Sequence, residues 1–360
     1  MSPQPALSVI VPVRDGAATL TRALRAILSS DLPRHEFELI VVDDSSSDGS
    51  AAIAARYADT VIRLTGRRSG FAYARNRAAE LARGDAVAFV DSDIMVRSET
   101  LPRMLKALDD HPGLDAISAA HDAVPAAPNF ISQYWNLLLH FGDKWYPGIG
   151  GSFGSGCGMV RRSALVSAGM YDEWRFGAGT LEGVELGQRL ARAGHEVLLT
   201  ADLQVTQLKR WSLSSVLREA WSRSALLSRS LGYQRTRSSV PSDVVFTLSR
   251  ASIPALAILC TVALSAAFLA NPGKPARAVM TLALITLANF QVLRGFIRER
   301  GIVFAIVVAP VHFVFQIVSA MGLCGGWLMR DAVGDRLPDA ATQAYAEVGL
   351  EMWPPVPRPK

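Results

Sequence analysis

The 360-residue chain has only three cysteines, Cys157, Cys260 and Cys324. They lie far apart and two fall in apolar stretches, so they build neither a disulfide framework nor a zinc site. The six histidines stand singly, and none is read as a metal ligand. No G-x-G-x-x-G follows the first strand-like run and no G-x-x-x-x-G-K-[ST] occurs anywhere, which leaves no support for a dinucleotide fold or a P-loop. Neither charge is in large excess: 37 basic residues against 32 acidic do not mark a nucleic-acid binder. The opening MSPQPALSVIVPVRDG lacks a basic leader and its apolar run is broken by Pro12, so it is expected to form a first β-strand rather than a signal peptide.

What is abundant is apolar surface. Hydrophobic residues make up 50% of the chain, high for a soluble protein. The excess sits in three blocks, Ala251 to Ala270, Ala276 to Leu293 and Ile302 to Leu328, each about the ~20 residues that a bilayer span requires. Three transmembrane helices are expected over 251–330. The second block is short and carries Asn289 and Gln291, which leaves two spans plus a re-entrant segment as the alternative. Arg235, Arg237 and Arg250 precede the first block, and Arg294, Arg298 and Arg300 follow the second. Positive charge on that side places the N-terminal part in the cytoplasm, although Lys274 and Arg277 lie in the opposite loop.

Before residue 205 the pattern changes. Strand-like runs at Leu7 to Val13, Phe37 to Val42 and Ala86 to Val90 alternate with helix-like stretches such as Ala18 to Ser29 and Tyr73 to Ala82. That alternation predicts an α/β fold, a mostly parallel sheet flanked by helices. Ligands bind such sheets beyond the carboxyl ends of the strands. Carboxylates stand at those ends: Asp15 after the first run, Asp43 and Asp44 after the second, Asp91 and Asp93 after the third. Residues i and i+2 of a strand share a face, so Asp91 and Asp93 project together. Such a pair suits a divalent cation that holds a diphosphate, and single carboxylates suit a ribose or a base N–H. For Asp43 and Asp44 alone, within DDSSSDGS, a turn with helix capping is the plainer reading.

The runs SVIVPVRDG, ELIVVDDSSSDGS and GFAYARNRAAELARGDAVAFVDSDI, in that order, resemble the family 2 glycosyltransferases of the GT-A fold, over roughly residues 7 to 211. The resemblance implies Pro12, Val13, Asp15, Asp43 and Asp44 around the base and ribose of a UDP- or GDP-linked sugar. It also implies Arg75 near the phosphates, and Asp91 and Asp93 around Mg2+ or Mn2+, with Asp91 able to reach the ribose. A cation between Asp91 and Asp93 would offset their repulsion and stabilise the diphosphate as it leaves.

An inverting transfer needs a group to take the acceptor's proton. The family draws it from an Glu-Asp pair at the start of a helix, but here LEGVEL places Gly183 where that Asp would stand. Glu182 and Glu185 are the substitutes, three residues apart on one helix face, and Glu185 could equally pair with Arg189. Either Glu182 reaches the acceptor, or the acceptor is already an anion such as a polyprenyl phosphate. The glycines from Gly148 to Gly158, Gly156 among them, permit close approach of an acceptor.

Gln207, Arg210 and Trp211 match the Q-x-x-R-W motif of membrane-bound synthases, which implies Gln207 and Trp211 at the acceptor sugar and Arg210 at the departing diphosphate. Phe130, Ile131, Tyr134, Trp135, Leu138 and Phe141 follow a helical spacing, suited either to a membrane interface or to packing on the sheet. Leu213 to Leu231 read as a basic amphipathic helix within an interfacial region, 206–250, and 331–360 as a flexible tail. The whole implies a multi-pass glycosyltransferase of the bacterial inner membrane, its 1–205 domain cytoplasmic, acting on a lipid or lipid-linked acceptor. The alternative is a membrane-tethered nucleotide-sugar-binding protein without transfer activity.

Overall fold

The computed structural model describes residues 4–64, 70–145, 148–150, 153–154, 156–173, 181–235 and 275–332. They divide into two compact units. One holds Met1–Ala127 and Asp143–Arg210, the other Pro128–Gly142 and Trp211–Asp335.

The first unit is a three-layer α/β structure. Its strands are β1 (Leu7–Val13), β2 (Phe37–Asp43), β3 (Thr60–Arg63), β4 (Ala86–Val90), β5 (Ile94–Val96), β6 (Leu114–His121), β7 (Gly148–Ile149), β8 (Cys157–Arg161) and β9 (Glu196–Gln207). The helices are α1 (Ala17–Leu28), α2 (Ser50–Tyr57), α3 (Phe71–Leu81), α4 (Thr100–Asp110), then α5 (Phe130–Trp145), which runs across the division, α6 (Arg162–Ser167) and α7 (Glu182–Arg192). β1, β2 and β4 are buried along their whole length, so they read as unbroken apolar runs. Their alternate residues still go to opposite layers. Val9 and Val11 pack with Leu20 and Leu24 of α1 and Leu101 of α4, whereas Ile10 packs with Ala74 and Ala78 of α3 and Leu186 of α7.

The sheet order is β3-β2-β1-β4-β8-β6-β9-β5, with β7 paired to β9. The expectation of a mostly parallel sheet is corrected here: among the described residues the sheet is mixed. β1–β2, β1–β4, β2–β3 and β6–β9 are parallel, and β4–β8, β6–β8, β5–β9 and β7–β9 are antiparallel. The strand-helix alternation that signals parallel pairing ends at β6, and the short β8 then enters the sheet against both neighbours. Because β8 opposes both β4 and β6, the strands β1, β2, β4, β6 and β9 all run the same way. Their carboxyl ends, Val13, Asp43, Val90, His121 and Gln207, therefore line one edge.

The second unit is helical: the greater part of α5, then α8 (Leu213–Arg235), α9 (Pro275–Ala288), α10 (Phe290–Arg300) and α11 (Ile302–Ala332). The amphipathic helix expected near 213–231 is present as α8, and it packs along α11. A Cβ on Gly326 would stand 2.3 Å from the Ala225 oxygen and one on Gly322 2.7 Å from the Trp221 oxygen, so glycine permits the close approach of these two helices. The aromatic face of α5 is also enclosed within this unit: Tyr134 meets Phe296 and Phe315, and its hydroxyl lies 3.0 Å from His312 Nδ1.

Ile302–Met329 of α11 is long and apolar enough to cross a membrane, and it is the only such helix among the described residues. Its outward face is apolar, with Val303 72% and Ile306 66% exposed. The second expected span is not one helix. It is divided at Asn289 into α9, of 14 residues, and α10, of 11, both shorter than a bilayer requires. Asn289 caps α10 in a non-helical conformation and its side chain turns back to the Ile285 carbonyl, the local bonding by which asparagine interrupts helices. The first expected span, 251–270, lies outside the described residues, as do 236–250 and the tail.

Candidate functional site

Two groups of side chains form at the carboxyl edge of the sheet. The first follows β1 and β2. Asp43 and Asp44 are buried, and each accepts a backbone N–H: Asp43 Oδ1 from Ser46 at 3.1 Å, Asp44 Oδ2 from Gly70 at 2.9 Å. Arg63 and Arg14, both well exposed, approach their carboxylates to 3.4 and 3.6 Å. Asp43 Oδ2 and Asp44 Oδ1 are buried and make no hydrogen bond among the described residues. An acceptor atom left this way is costly unless a ligand donor completes it. The helix-start bonds in this loop belong to Asp48 rather than to Asp43 or Asp44: it accepts from the Ala17 N–H at the start of α1 and from the Ser50 N–H at the start of α2. Asp15 sits at φ 48°, and its carboxylate accepts from the Ser47 amide and hydroxyl, bonds that hold its pKa below the ordinary value. Val13 accepts the Asp44 N–H, which ties the end of β1, with Pro12 beside it, to this loop.

The second group follows β4. Arg75, on the buried face of α3, bonds Asp91 and Glu182 at 2.7 Å each. Its guanidinium also lies 5.3 Å from the Tyr171 ring centre. Burial opposes the Arg75 charge, but Asp91, Tyr171 and Glu182 outweigh it and raise its pKa. Burial lifts the pKa of Glu182 against the pull of Arg75, and Glu182 Oε2 makes no hydrogen bond among the described residues. Glu185 is paired to Arg189 at 2.5 Å, the plain structural role of an i,i+4 pair.

Gly183 is fixed by packing. A Cβ there would stand 2.4 Å from the carbonyl oxygen of Phe153, closer than any real contact allows. The start of α7 lies against the backbone of 153–154, and no side chain fits at the position between Glu182 and Val184.

Asp93 is partly buried, and its carboxyl is pushed up to about 6 by burial and by Asp91, against the opposing charges of Lys209 and His121. A divalent cation would relieve this strain, and two carboxylates are the hard oxygen donors that Mg2+ or Mn2+ takes. Among the described residues no three His, Cys, Asp or Glu side chains converge as a metal cage. A cation held by Asp91 and Asp93 would need further oxygen ligands, which a diphosphate or water could supply. Gln207, at the end of β9, pairs with Ile94 in register, and the next amide, Leu208 N–H, donates to the Asp93 carbonyl at 2.7 Å. Gln207 is thus beside the carboxylate pair. Arg210 is exposed at the end of the same segment. Trp211 belongs to the helical unit, where it is 7% exposed, packs on Trp135 with ring centres 5.4 Å apart and donates its backbone N–H to Ser132.

Gly156 has φ 82°, and its carbonyl accepts the Asp91 N–H at 2.9 Å. A Cβ on it would press on Ile94 at 2.9 Å and stand 3.7 Å from His121 Nε2. His121 was not singled out by the sequence, nor was Asp143, although His121 ends β6 as Asp43 ends β2. Asp143 Oδ2 accepts both the His121 backbone N–H and lies 2.9 Å from its Nδ1. Tyr171 was missed as well. It is reached only by folding, through Asn76, whose amide brackets its backbone at 2.9 and 3.0 Å.

Known proteins resemble parts of this chain. Residues 8–168 match the family model described as Glycosyl transferase family 2. The poly(ribitol-phosphate) beta-N-acetylglucosaminyltransferase TarS of Staphylococcus aureus strain Mu50 is 36% identical over 108 residues, 29% of this chain and 19% of that protein. A beta-monoglucosyldiacylglycerol synthase of Trichormus variabilis is 27% identical over 185 residues, 47% of this chain and 38% of that protein. These matches span well under half of the curated relatives. Among solved structures, the mannosyltransferase PcManGT of Pyrobaculum calidifontis, in complex with GDP-Man and Mn2+, superposes with a TM-score of 0.61 at 22% identity, over 85% of this chain and 87% of that one. That likeness shows a shared GT-A-like fold, and the family match over residues 8–168 supports a family 2 glycosyltransferase domain there.

Proposed function

We propose that the chain is a membrane-attached, inverting glycosyltransferase that takes a sugar from a UDP- or GDP-linked donor, with Mg2+ or Mn2+ at Asp91 and Asp93, and passes it to a lipid or lipid-linked acceptor. The observation that carries this reading is the alignment of carboxylates on one sheet edge: the buried Asp43 and Asp44, each with an oxygen that makes no hydrogen bond among the described residues, and the partly buried Asp91 and Asp93, Asp91 bonded to the buried Arg75. In this reading Asp43, Asp44 and Asp15 hold the nucleoside, Arg75 fixes Asp91 and Glu182 around the diphosphate, and Gln207 and Gly156 border the acceptor. The metal supplies charge to the departing diphosphate. The apolar outward face of α11 supports attachment to a bilayer. The name of the diacylglycerol-directed relative is consistent with a lipid acceptor.

Calorimetric titration of the detergent-solubilised chain with UDP and GDP, in Mn2+ and then in chelator, tests the donor site. Binding of one nucleotide is expected, weakened at least tenfold by chelator and by Asp93→Ala. Binding of neither nucleotide under both conditions sinks the reading. Gly183 favours one rival, a tethered nucleotide-sugar-binding protein without turnover, because the position beside Glu182 carries no carboxylate. Release of nucleoside diphosphate from a donor by the chain, and not by Asp93→Ala, excludes that rival.

A further inference from the structure

At the amino end of the sheet, opposite the carboxylate edge, three side chains stand in line. Asp115 is the second residue of β6, and His195 immediately precedes β9, which pairs with β6 in parallel from Leu114 and Glu196 onward. That register sets the two side by side: Asp115 Oδ2 lies 2.9 Å from His195 Nδ1. His195 Nε2 in turn lies 2.9 Å from the hydroxyl of Ser167, the last residue of α6. A carboxylate accepts only, so the neutral imidazole carries its proton on Nδ1 and meets the serine O–H with the lone pair of Nε2. The hydroxyl has a second acceptor at 2.9 Å, the Ala164 carbonyl, and Arg161 Nε stands 3.9 Å from the other Asp115 oxygen. The His195 and Asp115 side chains are 23% and 20% exposed, whereas Ser167 is an exposed residue. An exposed serine, a base within hydrogen-bond reach of it and a third group orienting that base are the parts of an activated nucleophile. β6 holds Asp115 and His121 roughly 20 Å apart at ~3.3 Å per residue, so this set is separate from the groups on the other edge.

We propose that Ser167, His195 and Asp115 form a second reactive site, in which Ser167 takes an acyl group from an activated ester. The glycosyltransferase reading uses none of these residues, and the site stands or falls without it. As the acyl group arrives, the Ser167 O–H bond breaks and its proton passes to His195 Nε2, while the oxygen's electron pair bonds the acyl carbon. The bond from that carbon to the leaving oxygen or sulfur breaks, and its pair departs with the leaving group. Asp115 stabilises the imidazolium, which then gives its proton to the leaving group or to water. The amides that follow Ser167 define the class of donor. Ala168, Gly169 and Met170 donate to the carbonyls of Ala164, Val166 and Leu165, so these three are not offered to an oxyanion, whose stabilisation is a large part of acyl transfer. The site therefore suits aryl esters and thioesters, whose leaving groups depart readily, rather than amides or alkyl esters.

The test treats the full chain in detergent with p-nitrophenyl acetate, follows nitrophenol release and locates the acetyl group by peptide mass. The parent is expected to give a burst of about one nitrophenol per chain, with the acetyl group on Ser167, and Ser167→Ala to give no burst. His195→Gln, which removes the base, is expected to slow acetylation of Ser167 at least about a hundredfold. Asp115→Asn, which leaves the ring in place, is expected to slow it at least about tenfold. Acetylation of Ser167 at the parent's rate in His195→Gln overturns the proposal, and a lowered thermal midpoint in that variant would then make the three residues a strut between α6 and β9. Acetylation confined to lysines or to other serines overturns it as well. The parent unfolded in urea supplies a comparison that needs no folded variant. Ser167 acetylated as fast in urea as in the native chain is an ordinary serine, and the proposal fails; acetylation faster by at least about a hundredfold in the native chain supports it.

Discussion

Asp43 and Asp91 end parallel strands on the same edge of one sheet, yet they are held in different ways. Around Asp43 and Asp44 the fixing bonds are backbone N–H groups: Ser46, three residues after Asp43, and Gly70, 26 residues after Asp44 at the start of α3. Around Asp91 the fixing bonds are side chain to side chain, from Arg75 on to Glu182, 107 residues away. The first arrangement is made by backbone groups within 26 residues of the carboxylates. The second exists only when α3, β4 and α7 have all docked. On the proposed reading, a nucleoside would rest on the more local of the two frames, whereas positioning of the reacting atoms would depend on the packing of the whole unit.

Removing the shared cation should divide these two regions most sharply. Arg75→Met leaves Glu182 and the partly exposed Asp91 without their counter-charge, and loss of one member of such a buried network costs about 3 kcal/mol. Chemical denaturation should show that loss. A cost below about 1 kcal/mol would mean that packing alone holds α7 in place. Gly183→Ala comes next: a methyl group forced against the Phe153 carbonyl is expected to cost about 1–3 kcal/mol, read as a lower thermal midpoint, with donor hydrolysis reduced while nucleotide binding persists. Equal loss of both would show that the two regions are mechanically one. The smallest effect belongs to the nucleoside side. Asp48 is exposed, and bonds from the Ser50 hydroxyl and the Ala17 N–H hold its pKa below 3.8. A group depressed on folding stabilises above its unfolded pKa, and that contribution is lost as pH falls through the folded value. Asp48→Ala should cost about 0.5 kcal/mol near neutrality, and the gap in thermal midpoint between variant and parent should close in acid.

This contrast also explains what the sequence made legible. β1, β2 and β4 are buried on both faces, so their apolar runs stand out, and the carboxylates that end them could be read from position alone. The same rule applied to LDAISAAH would have found His121, but that strand carries polar residues and its histidine resembles any isolated one. Asp143 is harder to foresee, because it lies on α5, a helix whose aromatic face drew attention to packing instead. The mixed order of the sheet was hidden because β8 is a five-residue strand among glycines. The second apolar block read as a span because composition alone does not register that Asn289 turns its side chain back on the helix. Trp211 matched a motif by spacing, but spacing does not say which of two units a residue joins.

The contact between Gly183 and the Phe153 carbonyl also limits what can be engineered here. Installing an aspartate at 183 looks like a one-letter repair of the missing carboxylate. The obstacle is main chain, however, and no choice of rotamer moves it. A designer would first have to re-lay residues 153–154 at the amino end of β8, and that segment also carries the Gly154 N–H bonded to Ser118 at 2.8 Å. Any carboxylate gained at 183 would come with a rebuilt loop, so its introduction is a problem of loop design rather than of point substitution.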